Sequence, residues 1–121
     1  MAFTTPVQCE LDDVLKLIAS RWTPHILWVL LTNGRTRFGA LKRAIPGIST
    51  KVLTQRLRAL EASEFVTRDY VPTIPPEVSY DLSAKGHDLR DTLSALKIVA
   101  ERWAKEYPKQ VADGDLNKLR P

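Results

Sequence analysis

A short glycine-containing break, Ile45-Pro46-Gly47-Ile48-Ser49, separates two stretches of helical periodicity. It limits the chain to folds in which two short helices meet at a tight turn. Before the break, Leu41, Ala44 and Ile45 recur at helical spacing and turn inward; after it, Val52, Leu53, Leu57 and Leu60 do the same. Ser49 or Thr50 is a good N-cap, which predicts a helix over residues 50–62. At about 100° per residue its four apolar positions fall within one arc of roughly 140°. Lys51, Thr54, Gln55 and Arg58 fall on the opposite side.

Punctuation elsewhere divides the chain as sharply. Leu11, Val14, Leu15 and Ile18 recur at helical spacing, with Asp12 and Asp13 in a first turn where the helix dipole favours acids. That helix ends before Pro24, which suits the opening turn of a second helix through Ile26, Leu27, Leu30 and Leu31. Asn33-Gly34 stops the second helix, and Thr36-Arg37-Phe38 reads as a short extended piece. Val66-Arg68-Tyr70 and Val78-Tyr80-Leu82 alternate on either side of Pro72-Thr73-Ile74-Pro75-Pro76, the pattern of an antiparallel hairpin with a stiff tip. Ser83 then caps one long terminal helix, striped with Leu89, Leu93, Leu96, Val99 or Ala100, Trp103 and Tyr107, and ended by Pro108. This order predicts a mainly α (α+β) fold with a small β-hairpin: a winged helix-turn-helix with a long terminal helix for dimerisation. Residues 1–8 read as an N-terminal arm, 9–107 as the winged helix-turn-helix domain with its dimerisation helices, and 108–121 as a polar tail.

With 121 residues, 44% of them apolar, the chain holds one domain that buries roughly two-thirds of its unfolded surface without a disulfide or metal staple. Cys9 is the only cysteine, so no intrachain disulfide forms, which fits a reducing compartment. The longest apolar run, Ile26 to Leu31, is far short of the ~20 residues a bilayer span requires. The first six residues carry neither a basic residue nor the apolar core of a signal peptide. A cytoplasmic protein with no membrane partner is expected.

Charge placement narrows the function. From Arg35 to Arg68, eight basic residues (Arg35, Arg37, Lys42, Arg43, Lys51, Arg56, Arg58, Arg68) face only Glu61 and Glu64, while the rest of the chain is slightly acidic. A basic middle between acidic ends is the pattern of a domain that presents one face to a polyanion. On the fourth helix, Gln pairs with adenine, Arg or Lys with guanine, and Thr touches a thymine methyl or a phosphate. The reading is therefore base selection through Thr50, Lys51, Thr54, Gln55 and Arg58, with Ser49 at the cap, and phosphate contact through Arg35, Arg37, Lys42, Arg43 and Arg68. Arg68 and the hairpin tip form the wing. Arg56 projects to the edge of the apolar arc and reads as a structural arginine.

The terminal stripe is longer than one small domain covers with its own core. A homodimer interface through Leu11, Leu15, Leu89, Leu93, Leu96, Val99 and Trp103 is expected, against the plainer reading of intrachain packing. Two-fold symmetry then sets the two recognition helices roughly 34 Å apart on a near-palindromic double-stranded DNA operator.

Several of these pieces together have a family resemblance. Cys9 ahead of the first helix, Arg21-Trp22 with Ile26-Leu27, Arg37-Phe38 with Leu41, Pro46 through Leu60, Pro75-Pro76 with Val78 and Tyr80, and Leu82-Ser83 with Gly86 resemble the HxlR-type regulators, relatives of the MarR-like winged-helix proteins. The resemblance covers about two-thirds of the chain, from Cys9 to about Leu89. It implies a dimeric bacterial transcription factor, a repressor or activator responding to electrophiles, oxidants or aldehydes, with a sensing cysteine at the position of Cys9. Three departures stand out: Glu10 in place of a common Pro, Ala19-Ser20 in place of Gly-Gly, and Ser63-Glu64 without the glycine that follows the recognition helix.

At Cys9 two effects oppose each other. A helix N-terminus lowers a thiol's pKa, whereas the nearby Glu10, Asp12 and Asp13 disfavour a second negative charge. With no second cysteine, its chemistry is limited to mixed thiolation, alkylation or a Cys9–Cys9 link between subunits. An inert thiol is the alternative. His25 and His87 lack metal-ligand spacing, so no metal and no cofactor is expected. Trp22, Trp28 and Trp103 read as core or interface anchors. Phosphate loops and nucleophile motifs are absent, which argues against an enzyme. The rival reading is a winged-helix protein-interaction module that does not bind DNA; its binding would depend little on salt.

Overall fold

The computed structural model describes residues 10–108. The arm 1–8, Cys9 and the tail from residue 109 lie outside the described residues. Those described form two compact units, one running to Asp88 and one starting at Leu89.

The first unit begins with α1 (Glu10–Ala19) and α2 (Thr23–Asn33), followed by β1 (Thr36–Arg37), α3 (Phe38–Ala44) and α4 (Thr50–Ala62). It closes with β2 (Val66–Val71), β3 (Glu77–Leu82) and a one-turn helix, α5 (Ala84–His87). The helices start and stop where the local chemistry directs. Pro24 lies in the first turn of α2, and Gly34, at φ 75°, ends it by donating its N–H to the Leu30 carbonyl at 2.9 Å. Ser49 caps α4 by accepting from the Val52 N–H at 3.1 Å. The five residues 72–76 join β2 to β3, as the proline-rich turn predicts.

The hairpin gains a third strand. The order is β1-β3-β2, both pairs antiparallel, with Thr36 opposite Tyr80 and Tyr80 opposite Arg68. Two residues of β1 are too short a run for alternation to reveal, and their partner lies more than forty positions away. Phe38, expected in the extended piece, opens α3 instead.

The core is built from one face of each element. Ile26, Leu27 and Leu30 of α2, Leu41 of α3, and Leu53, Leu57 and Leu60 of α4 are essentially inaccessible, and Val66, Tyr80 and Leu82 cover them from the sheet. Two inward assignments change. Ala44 is exposed and the residue after the helix, Ile45, takes the core position; Val52 is only half-buried. On α1 it is Asp12, paired with Lys16 at 3.1 Å, that is buried, while Leu11 and Leu15 stay exposed.

The exit from α4 is a Schellman cap. Phe65 N–H returns to the Leu60 carbonyl at 2.9 Å and Glu64 N–H to the Glu61 carbonyl at 3.0 Å. The residue in the left-handed conformation is Glu64, at φ 67°. A glycine takes that position without steric cost, and its absence here leaves strain in the backbone.

Ser83 caps a helix, as expected, but only the single turn of α5: its hydroxyl accepts from Gly86 N–H at 3.0 Å. The long terminal helix is thus two helices. Asp88 N–H bonds three residues back, to Lys85 at 3.2 Å, tightening the chain into a turn before α6 (Arg90–Glu106) begins. Gly86 explains why α5 stays put: a Cβ there would sit 2.2 Å from the Phe65 carbonyl oxygen and 3.0 Å from Leu82.

The second unit is α6, with Leu89 as its N-cap rather than inside its stripe. Lys97–Glu101 and Arg102–Glu106 pair one turn apart along it. None of its residues is buried. No single helix among the described residues is long and apolar enough to cross a membrane.

Candidate nucleic-acid interface

The exposed side of α4 carries Lys51, Gln55 and Arg58, free of acid until Glu61. The core leucines hold this face outward, because Leu53, Leu57 and Leu60 anchor the opposite side of the same helix. Among the described residues Lys51 and Arg58 enter no ion pair, so their charges are available to a partner. Ser49 and Thr50 sit at the helix mouth, where unpaired backbone N–H groups favour an anion. Thr54 is half-buried and donates its hydroxyl to the Thr50 carbonyl at 2.8 Å. Its proton is therefore spent; a methyl and an acceptor remain.

Beside α4 lies an open cleft of about 820 Å³. Thr54, Arg58 and Glu61 form its α4 wall, Phe38 and Gly39 its floor from α3, and Arg37, Arg68, Glu77, Val78, Tyr80 and the turn Thr73 to Pro76 its sheet wall. The cleft brings Arg58 and Arg68 together across ten positions of sequence, and the Arg68 guanidinium lies 5.6 Å over the Tyr70 ring. Lys42 and Arg43 occupy the exposed last turn of α3.

Arg35 and Arg37 are arranged differently. Arg35 Nη1 meets Asp69 Oδ2 at 2.8 Å, and Arg37 Nη2 meets Glu77 Oε1 at 2.7 Å. Sequence reasoning missed these carboxylates because nothing local links them to their arginines; only the β1-β3-β2 register does. Glu61, counted with Glu64 as an opposing charge, lines the cleft itself. Arg56 stands apart, as its position on the helix predicts: its Nε donates to the Arg21 carbonyl at 2.8 Å.

The other predicted positions divide by unit. Leu11 and Leu15 are exposed on α1, at 60% and 43%. On α6, Leu93, Leu96, Val99 and Trp103 share one flank, with Leu96 and Trp103 more than half exposed. Of the tryptophans read as anchors, Trp103 is thus exposed, and Trp22 is half-buried beneath the Arg21 guanidinium at 4.8 Å. Cys9 lies outside the described residues. Among those described, no group of three or more His, Cys, Asp or Glu is placed to hold a metal ion.

A two-helix turn motif flanked by a three-stranded wing, with a basic outward helix, defines a helix-turn-helix transcriptional regulator. The chain belongs to the HxlR-like helix-turn-helix family, which it matches over residues 17–110. It is 38% identical over 104 residues to the uncharacterized HTH-type transcriptional regulator sll1512 of Synechocystis sp., covering 86% of this chain and 76% of that one. To the uncharacterized HTH-type transcriptional regulator YtfH of Escherichia coli it is 43% identical over 89 residues, 74% of this chain and 70% of the other. Among solved structures, the redox regulator HypR in its oxidized form superimposes with a TM-score of 0.70 at 28% identity, covering 84% of this chain and 99% of that one. The family consists of transcriptional regulators rather than enzymes.

Proposed function

We propose that the protein is a homodimeric, sequence-specific DNA-binding regulator that inserts α4 into the major groove of a near-palindromic operator. The observation that carries this reading is the exposed, acid-free run of Lys51, Gln55 and Arg58 on a helix locked from behind by three buried leucines. A rigid helix with those side-chain types reads base edges. Gln55 and Arg58 select bases, Lys51 selects a base or holds a phosphate, and Thr54 offers its methyl to thymine. Ser49 and Thr50 at the helix mouth, with Lys42, Arg43 and Arg68, hold the phosphate backbone. Arg35 sits on the wing's flank and Arg37 lines the cleft, each with its charge offset by a carboxylate.

The apolar flank of α6 (Leu93, Leu96, Val99, Trp103), with Leu89 at its N-cap, and the exposed Leu11 and Leu15 of α1 pack against a second copy. Residues 9–107 act as the regulator domain, between an arm at 1–8 and a polar tail at 108–121. The regulator works in the cytoplasm. Cys9 senses oxidants or electrophiles, a reading supported by likeness to HypR, a redox regulator; a small-molecule effector is the alternative trigger.

Fluorescence anisotropy tests this with a selected operator and a scrambled duplex over several salt concentrations, before and after diamide. A steep salt slope and a large operator preference are expected. Weak binding with a shallow slope would sink the DNA reading in favour of a protein partner. Diamide should abolish operator binding in the wild type and spare it in Cys9→Ser; insensitivity of the wild type points to a reversible ligand.

A further inference from the structure

Helix α4 has two flanks as well as an outward face. At about 100° per residue, Lys51 and Gln55 point outward, Thr54, Arg58 and Glu61 fall to one side of them, and Val52, Arg56 and Ala59 fall to the other. The first flank lines the cleft beside the wing. The second meets the corner between α1 and α2, where Arg56 Nε donates to the Arg21 carbonyl at 2.8 Å. The same corner touches the turn that leads into α4, because a Cβ built on Gly47 would lie 3.6 Å from Cη2 of Trp22. The corner is thus the counterpart of the wing across the recognition helix. Its chemistry suits an anion. The Arg21 guanidinium lies 4.8 Å over the Trp22 ring, and the His25 ring is tilted against that ring with centroids 5.7 Å apart. Arg21 and His25 are exposed, and among the described residues neither enters an ion pair. The bond to Arg56 uses only the main-chain oxygen of Arg21, so its guanidinium charge stays available. Arg21 also lies outside the basic run from Arg35 to Arg68, and a charge count along the chain does not single it out.

We propose that Arg21, braced on Trp22, holds a backbone phosphate on the groove wall opposite the one held by the wing, so that α4 is clamped from both flanks. The proposal rests on the DNA-binding reading above. A helix with its side chains is about 10–12 Å across and the major groove about 12 Å wide, so α4 fills the groove and its flanks lie against the two walls. Those walls are the sugar-phosphate backbones of opposite strands. Arg68, on the cleft side, serves one wall; Arg21, with His25 beside it, serves the other. A guanidinium matches phosphate oxygens with two parallel N–H donors, and stacking on an aromatic face keeps it oriented before DNA arrives. Contacts of this kind fix the register of the protein on the duplex and carry no sequence information. Arg21 therefore adds affinity and orientation, while the outward face of α4 selects.

The test measures anisotropy for the wild type, Arg21→Ala, Arg21→Gln and Arg68→Ala on a selected operator and a scrambled duplex across a salt series. Lys105→Ala on α6 controls for net charge, and a thermal melt of each variant checks folding. Both Arg21 variants should melt with the wild type and bind the operator roughly three- to tenfold more weakly at low salt, with a salt slope shallower by about 1 and operator preference kept. Operators carrying single neutral methylphosphonates then locate the contact. Each neutralised phosphate that matters to the wild type weakens its binding. In Arg21→Ala one or two of those positions should cease to matter, on the strand opposite the positions that cease to matter in Arg68→Ala. An unchanged operator affinity, an equal loss in Lys105→Ala, no position that ceases to matter, or the same positions in both variants would each overturn the inference while leaving the DNA reading intact. A wild type with no salt-dependent binding to either duplex would overturn both.

Discussion

Arg56, on the recognition helix, donates its Nε hydrogen to the backbone carbonyl of Arg21, 35 positions earlier, at 2.8 Å. The bond ties α4 to the corner between α1 and α2, where Trp22 holds a left-handed conformation at φ 79° and stacks under Arg21. An arginine in a strongly basic helix is thereby committed to architecture. Arg56→Ala should cost about 1 kcal/mol of stability, read by urea denaturation, with Arg56→Lys recovering little because an ammonium lacks the Nε geometry. Operator affinity per folded molecule should barely change.

Arg58 gives the opposite result. Its guanidinium is exposed, enters no ion pair among the described residues, and shares the cleft with Arg68. Arg58→Ala should leave the melting temperature unchanged and weaken operator binding by about 1–3 kcal/mol if it reads a guanine. An equal loss on the scrambled duplex would reassign it to a phosphate.

Glu64 occupies the left-handed position of the Schellman cap at φ 67°. Glu64→Gly relieves a backbone conformation that costs a side-chain-bearing residue roughly 1–2 kcal/mol, offset in part by the greater freedom of glycine in the unfolded chain. A net gain of about 0.5–1 kcal/mol is expected from chemical denaturation. A loss of stability would mean that the glutamate side chain makes a contact worth more than the strain.

Gly86 is the reverse case, since its backbone is ordinary and its space is missing. Gly86→Ala pushes a methyl against the Phe65 carbonyl and Leu82, and should destabilise the protein by about 2–4 kcal/mol. A thermal melt within a degree of the wild type would show that α5 shifts without cost.

For the apolar flank of α6, Leu96→Asp with Trp103→Asp should convert a dimer to a monomer in analytical ultracentrifugation, because burial of each of those side chains is worth roughly 1.5–3 kcal/mol at an interface. A wild type that sediments as a monomer would locate the partner of this flank elsewhere.

Much of the architecture was legible because its signals are local. The periodicity of Leu53, Leu57 and Leu60, the Ser49 cap and the Pro46-Gly47 break each act within a few residues, and the structure places α4 over Thr50–Ala62, as they predict. The proline-rich turn marks residues 72–76 in the same way. Ser83 shows the limit of such signals: it announces a helix start correctly but says nothing of its length, which the contact of Gly86 with Phe65 and the turn at Asp88 decide.

By itself the sequence determined which segments are helical, which face of α4 is apolar, and that a basic middle meets that helix. Tertiary structure alone decided which of those basic residues are paired with a carboxylate. Arg35 lies 34 positions from Asp69 and Arg37 lies 40 from Glu77; β3 brings each pair together, by pairing with both β1 and β2 and by carrying Glu77 itself. Periodicity records how a chain meets its own neighbours through the rise and turn of one element. Pairing across a sheet depends on register between distant strands, and no count of charges along the chain contains it.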